Sequence, residues 1–266
     1  MKLPNAPLVE VVFEMRWALQ GPENVSVHLR SDPVYSLLAS EFAENAKTHG
    51  FQVQKQTDSS PLGPLGHSVD KRFYRDEDSP FPVWQIGPGI FACNESTEYE
   101  WDGFKHNIEN GLTTLLKSYP KSKIYPIEPV HLELRYIDSF GEDLLGHSDF
   151  VKFLRNDVNI KLNVNDFLKS NVLEDQFDGN IEIMKKVKGD EDTQFGVQIS
   201  TAIVKGVRTI RLVNKVFKSS ERLNLGKTNA KIIKSALEWA DAAHGLTHAF
   251  FDDFVPAKLM DKFRQD

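Results

Sequence analysis

An eleven-residue pattern recurs, in register and without a gap, 119 positions along the chain. Pro7-Leu8-Val9-Glu10-Val11-Val12-Phe13-Glu14-Met15-Arg16-Trp17 lies over Pro126-Ile127-Glu128-Pro129-Val130-His131-Leu132-Glu133-Leu134-Arg135-Tyr136. Both copies read proline, aliphatic, two variable positions, valine, any residue, apolar, glutamate, aliphatic, arginine, aromatic. A repeat of this kind marks a structural unit present twice. The chain is therefore expected to hold two α+β units, residues 1–120 and 121–266, packed together as one compact body.

The segments after each copy keep the same order. In the first half Asp32-Pro33 offers a helix N-cap and an N1 proline. Tyr35, Leu38, Phe42 and Ala46 follow at helical spacing, and Gly50 closes the helix. Alternating segments near 51–56, 67–75, 82–87 and 89–94 read as strands, with a Pro/Gly-rich loop over Ser60–Gly66. Asp102 is expected to cap a helix that carries Phe104, Ile108, Leu112, Leu115 and Tyr119 on one face. In the second half Ser148 or Asp149 starts a short helix through Phe150, Phe153 and Leu154. Strands follow near 180–188, 194–204 and 208–217. A long helix from about Thr228 turns Ile232, Ile233, Ala236, Leu237 and Ala240 inward. Residues 157–178 fit no clean period.

Each half thus reads β-α-(β)n-α. The expected fold is α+β with two antiparallel sheets, each carrying helices on one face in a helix-grip or saddle arrangement, related by a pseudo-twofold axis.

Composition narrows the function classes. The chain is 40% hydrophobic with 18 phenylalanines, enough for a packed core. Its net charge of −6 leaves no overall basic excess for a phosphate backbone. The single cysteine, Cys93, sits in an apolar run and provides neither a disulfide nor a thiolate cluster. No apolar stretch reaches the roughly 20 residues a bilayer-spanning helix needs, and the N-terminus lacks a signal-peptide core. A cytoplasmic location is expected.

Strand alternation places Glu14 and Arg16 on the face opposite Phe13, Met15 and Trp17. It places His131, Glu133 and Arg135 opposite Leu132, Leu134 and Tyr136. Pseudo-symmetry would gather Glu14, Arg16, Glu133 and Arg135 on one surface, as an anion clamp with a carboxylate base or as plain ion pairs. His244, His248 and Asp252 share one helix face at four-residue steps, a spacing compatible with metal ligation. The intervening residues lack the glutamate of a metalloprotease helix, and a structural histidine pair is the ordinary alternative. Lys185, Lys186, Lys188, Lys205, Arg208 and Arg211 fall on successive strands and could form a basic sheet face for single-stranded nucleic acid, or a solvated surface. Gly226-Lys227-Thr228 lacks the upstream glycine of a phosphate-binding loop and reads as a turn and N-cap. No nucleophile elbow is present, and no cofactor is implied.

Three motifs carry a resemblance. Pro7-Leu8-Val9-Glu10-Val11 running to Arg16, the segment Tyr99-Glu100-Trp101-Asp102-Gly103-Phe104, and Arg135-Tyr136-Ile137-Asp138 precede a C-terminal helix from His244 to Phe254. Together they resemble an uncharacterised, sporadically distributed prokaryotic family of about this length. The Tyr–Trp interval is one residue shorter here than in that family. The resemblance implies no activity, and the family's patchy distribution resembles that of mobile or defence-associated genes. The expected function is non-enzymatic binding, with a protein partner such as a neighbouring-gene product, or self-association. The alternatives are an anionic small-molecule site, binding or catalytic, at the repeat interface, and a nucleic-acid face in the second half.

Overall fold

The computed structural model describes residues 6–20, 31–57, 68–96, 99–121, 124–158, 160, 178–204 and 206–264. The loop over 60–66, Lys205 and most of 157–178 lie outside them. The described residues form nine strands: β1 Leu8–Trp17, β2 Val53–Gln56, β3 Lys71–Tyr74, β4 Val83–Gly87, β5 Ile90–Glu95, β6 Pro129–Phe140, β7 Asn180–Val187, β8 Asp190–Val204 and β9 Val207–Ser219. The main helices are α1 Tyr35–Ala46, α2 Trp101–Ser118, the short α3 Glu142–Leu145 and α4 Phe150–Lys152, then α5 Asn229–Phe254 and α6 Ala257–Phe263.

The chain is α+β, but its strands make one sheet where two were expected. The order is β2-β3-β4-β5-β1-β6-β9-β8-β7, every pairing antiparallel. The reason is the pairing of β1 with β6: backbone hydrogen bonds join what would otherwise be two free edges, and an unpaired edge is costly to leave. In this register Glu14 stands directly opposite Glu133, and Arg16 opposite His131. From that junction outward, β1 leads to β5 and β6 leads to β9, each the last strand before a long helix.

One face of the sheet is covered by α1, α2 and α5. Phe13, Met15 and Trp17 of β1 and Leu132 and Leu134 of β6 pack there with Leu38, Phe42, Phe104, Ile108, Leu112, Ile232, Ala236 and Ala240. This cluster draws on both halves of the sequence, so residues 1–120 do not close a core alone. A second cluster joins Phe140, Phe150, Phe153, Ile199, Ile210 and Leu212 with Leu259 and Phe263.

Helix boundaries show where side-chain chemistry and position part company. Thr228 caps α5, its side chain accepting from the Lys231 N–H, and Asp149 does the same for Lys152 at α4. Asp102 lies inside the first turn of α2, behind the N-cap Glu100. Asp32 stands ahead of α1, whose N-cap is Val34; its carboxylate accepts from the Trp17 indole at 2.9 Å and the Val34 N–H at 3.1 Å. Its primary task is therefore to satisfy a buried indole.

Gly111 on α2 allows the helix to lie against the sheet. A Cβ at that position would stand 2.4 Å from Phe91 Cζ. Alanine usually gains about 1 kcal/mol over glycine in a helix. Here Gly111→Ala is expected to lose about 1–3 kcal/mol in urea denaturation, because the ring it meets is wedged in the core.

Candidate functional site

The face of the sheet away from the helices carries the charges. Cross-strand pairing places Asn94, Val12, Arg135, Lys215 and Gly196 in one row across β5, β1, β6, β9 and β8. The next row holds Ala92, Glu14, Glu133, Phe217 and Gln194. Glu14, Arg16, Glu133 and Arg135 do come together, as alternation and the repeat anticipate. Glu14, Arg16, His131 and Glu133 are all less than a tenth exposed. Charges this enclosed require partners.

Those partners lie mainly within each copy. Arg16 bonds Glu14 two residues away, and Arg135 Nη1 bonds Glu133 Oε1 at 2.6 Å. Arg135 Nη2 also lies 4.0 Å from Glu14 Oε2, bridging the two facing carboxylates. His131 Nδ1 meets Ser219 Oγ at 2.6 Å, while its Nε2 stands 3.6 Å from Glu133 Oε2. Farther out, Arg72 donates to Gln85, Gln85 to Asn94, and Asn94 to Glu10, linking β3 to β1 in a second hydrogen-bonded chain.

Burial alone would push the Glu133 carboxyl upward, but the His131 side chain, Arg135 and Lys215 together hold it at about 2. It stays ionised throughout the neutral range. The arginine side chains differ in access: Arg135 is 30% exposed, Arg16 only 10%. Lys215 lies beside Arg135 on β9, half-buried, with its Nζ 5.7 Å from the centroid of the Phe217 ring. Its aliphatic stem passes over Gly196, where a Cβ would stand 3.1 Å from Lys215 Cε. Alternation along β9 alone does not reveal Lys215 as part of the site, because its place beside Arg135 depends on the β6–β9 register.

The His244, His248 and Asp252 set divides. His248 pairs with Asp252 at 3.0 Å on the exposed side of α5. His244 faces inward; its ring stacks on Trp101 with centroids 4.1 Å apart, and Nδ1 meets the Tyr136 hydroxyl at 2.8 Å. Burial, and then the neighbouring His248, lowers the His244 pKa. Tyr136 also shares a 2.6 Å hydrogen bond with Tyr99. This cluster pins α5 to β6 and to the start of α2. Among the described residues, no group of three or more His, Cys, Asp or Glu is placed to hold a metal.

The basic residues of the second half do not share one face. Lys186 and Arg211 follow the alternation of Lys215, whereas Lys185 and Arg208 follow that of the helix-covered side. Arg208 is paired with Asp178 at 2.9 Å, and Lys188 lies in the β7–β8 turn. Cys93 is fully buried, and burial pushes its thiol pKa well up.

Two buried oxygens lie on the helix side. Asp138 Oδ2 and Asn214 Oδ1, on adjacent strands, are buried without a hydrogen-bond partner among the described residues. Burial raises the Asp138 pKa to about 7. No described helix is long and apolar enough to cross a membrane. Comparison with family models, with curated proteins and with solved structures finds no match to this chain.

Proposed function

We propose that the protein is a non-enzymatic binding protein that holds an anionic ligand on the charged face of its sheet, over β6 and β9. The observation that carries this reading is the placement of Arg135 directly beside Lys215. Like charges opposed on an antiparallel pair are destabilising. Glu133 offsets part of that repulsion, and an anion resting on the partly exposed Arg135 guanidinium and Lys215 ammonium would offset the rest. Gly196 and Val12 flank the pair with little bulk. Binding is favoured over acid–base chemistry because a carboxyl held at about 2 is a poor proton acceptor near neutrality.

The site lies at the junction of an internally duplicated fold. Support comes from the 119-residue repeat, from equivalent glutamates facing one another across β1 and β6, and from the matching order of strands on either side. A pseudo-twofold axis through Glu14 and Glu133 would account for all three.

Isothermal titration with inorganic phosphate and with succinate tests the ligand class. At least one is expected to bind, more weakly as salt rises. Lys215→Ala is expected to weaken that binding roughly tenfold or more while leaving the melting temperature near the wild-type value. Native mass spectrometry of gently purified protein should show a retained anion that the variant loses. Equal binding by wild type and variant, or a bare mass with no binding to either probe, would sink the proposal.

A further inference from the structure

We propose that the protein forms a homodimer joined edge to edge through β7, which pairs antiparallel with the β7 of a second copy about a twofold axis at Met184. Among the described residues the strand ends the sheet, bonded to β8 on one side only. It is eight residues long, whereas the opposite edge strand, β2, has four. Ile183 and Met184 are 52% and 40% exposed on it. A long, open edge bearing apolar side chains is a template for another strand unless something repels the newcomer.

Lysine is the usual repellent, and β7 carries Lys185 and Lys186. Its sequence, Asn180-Ile181-Glu182-Ile183-Met184-Lys185-Lys186-Val187, turns that charge to advantage in one register. With the axis at Met184, each Glu182 stands opposite the second copy's Lys186, giving two cross-strand ion pairs, one on each side of a Met184–Met184 contact. On the other face Ile181 meets Val187, and Ile183 meets the aliphatic stem of Lys185. Moving the axis to Ile183 removes both ion pairs and sets Glu182 against Met184. Moving it to Lys185 opposes that residue to its own copy. Charge complementarity thus selects both the partner, a second copy, and the register.

The existing contacts do not compete strongly. Lys186 lies 3.8 Å from Glu191, both well exposed, an arrangement worth little in water. Glu182 has no ion pair among the described residues. In the dimer the nine-stranded sheet would run on unbroken into that of the second copy.

Sedimentation velocity across roughly micromolar to several hundred micromolar protein tests this directly, since edge interfaces of modest area give weak dimers. The wild type is expected to shift from monomer to dimer over that range. Glu182→Lys and Lys186→Glu should each place like charges opposite one another twice and weaken the dimer at least tenfold. The double variant Glu182→Lys/Lys186→Glu should restore it, which no other interface predicts. Both side chains are exposed, so the melting temperatures should stay near the wild-type value. A wild type that remains monomeric, single variants that remain dimeric, or a folded double variant that remains monomeric would each overturn the proposal.

Discussion

Replacing Asp138 by Asn is expected to raise the melting temperature at pH 8 by roughly 10 °C, and to change it little at pH 4. Asp138 is 4% exposed on the helix side of β6, and its Oδ2 has no partner among the described residues. Burial raises its pKa from 3.8 to about 7. The folded chain therefore holds this proton more tightly than the unfolded chain. Stability from the protonated form is complete below about pH 4 and is lost as the pH climbs toward 7, after which the loss is constant. A shift of this size corresponds to at most about 4 kcal/mol. An amide carries no charge to desolvate, and it adds a donor on the strand next to Asn214, whose Oδ1 is buried without a partner among the described residues. Thermal melts of both proteins from pH 4 to 9 check the sign. Curves that stay parallel across that range would show that Asp138 does not titrate in the folded protein.

The opposite outcome is expected on the charged face. Arg16→Met should cost about 3–5 kcal/mol in urea denaturation, because it leaves the enclosed Glu14 carboxylate without its nearest cation. Glu14 is 4% exposed. Arg135 lies 4.0 Å away but is already bonded to Glu133, so it cannot fully replace Arg16. The double variant Glu14→Gln/Arg16→Met removes both charges and should return to within about 1 kcal/mol of wild type. If the double variant is as unstable as the single, the arginine acts through packing and its aliphatic stem.

Much of this arrangement is legible in the sequence because it follows from alternation and helical period. Phe104, Ile108, Leu112 and Leu115 line the buried side of α2, and Glu14, Arg16, Glu133 and Arg135 share one sheet face. Pairings between distant strands are not legible in this way. The β1–β6 bond that makes one sheet from two joins residues more than a hundred positions apart, with no local signature. The Arg135–Lys215 neighbourhood depends on a second such register. Asp138 is a different case: it occupies the same inward alternation as Leu132 and Leu134, and its charge concealed its position. Spacing along its own helix marks His244, but its environment comes from Trp101 and Tyr136, brought by other elements.

The pairing of β1 with β6 also bears on the order in which the chain can acquire structure. β1 leaves the ribosome well before β6, the neighbour encoded over a hundred residues later. The helix that packs on β6 and β9 in the same core cluster, residues 229–254, follows later still. Until then Val11, Phe13, Met15 and Trp17 lack the pairing with β6 and the core cluster shared with α5 that they have in the folded chain. Loop-closure entropy must be met before these distant contacts offset it, so such a topology folds slowly and late. The first half is thus synthesised as a dependent segment, and native packing at the centre of the sheet waits for α5.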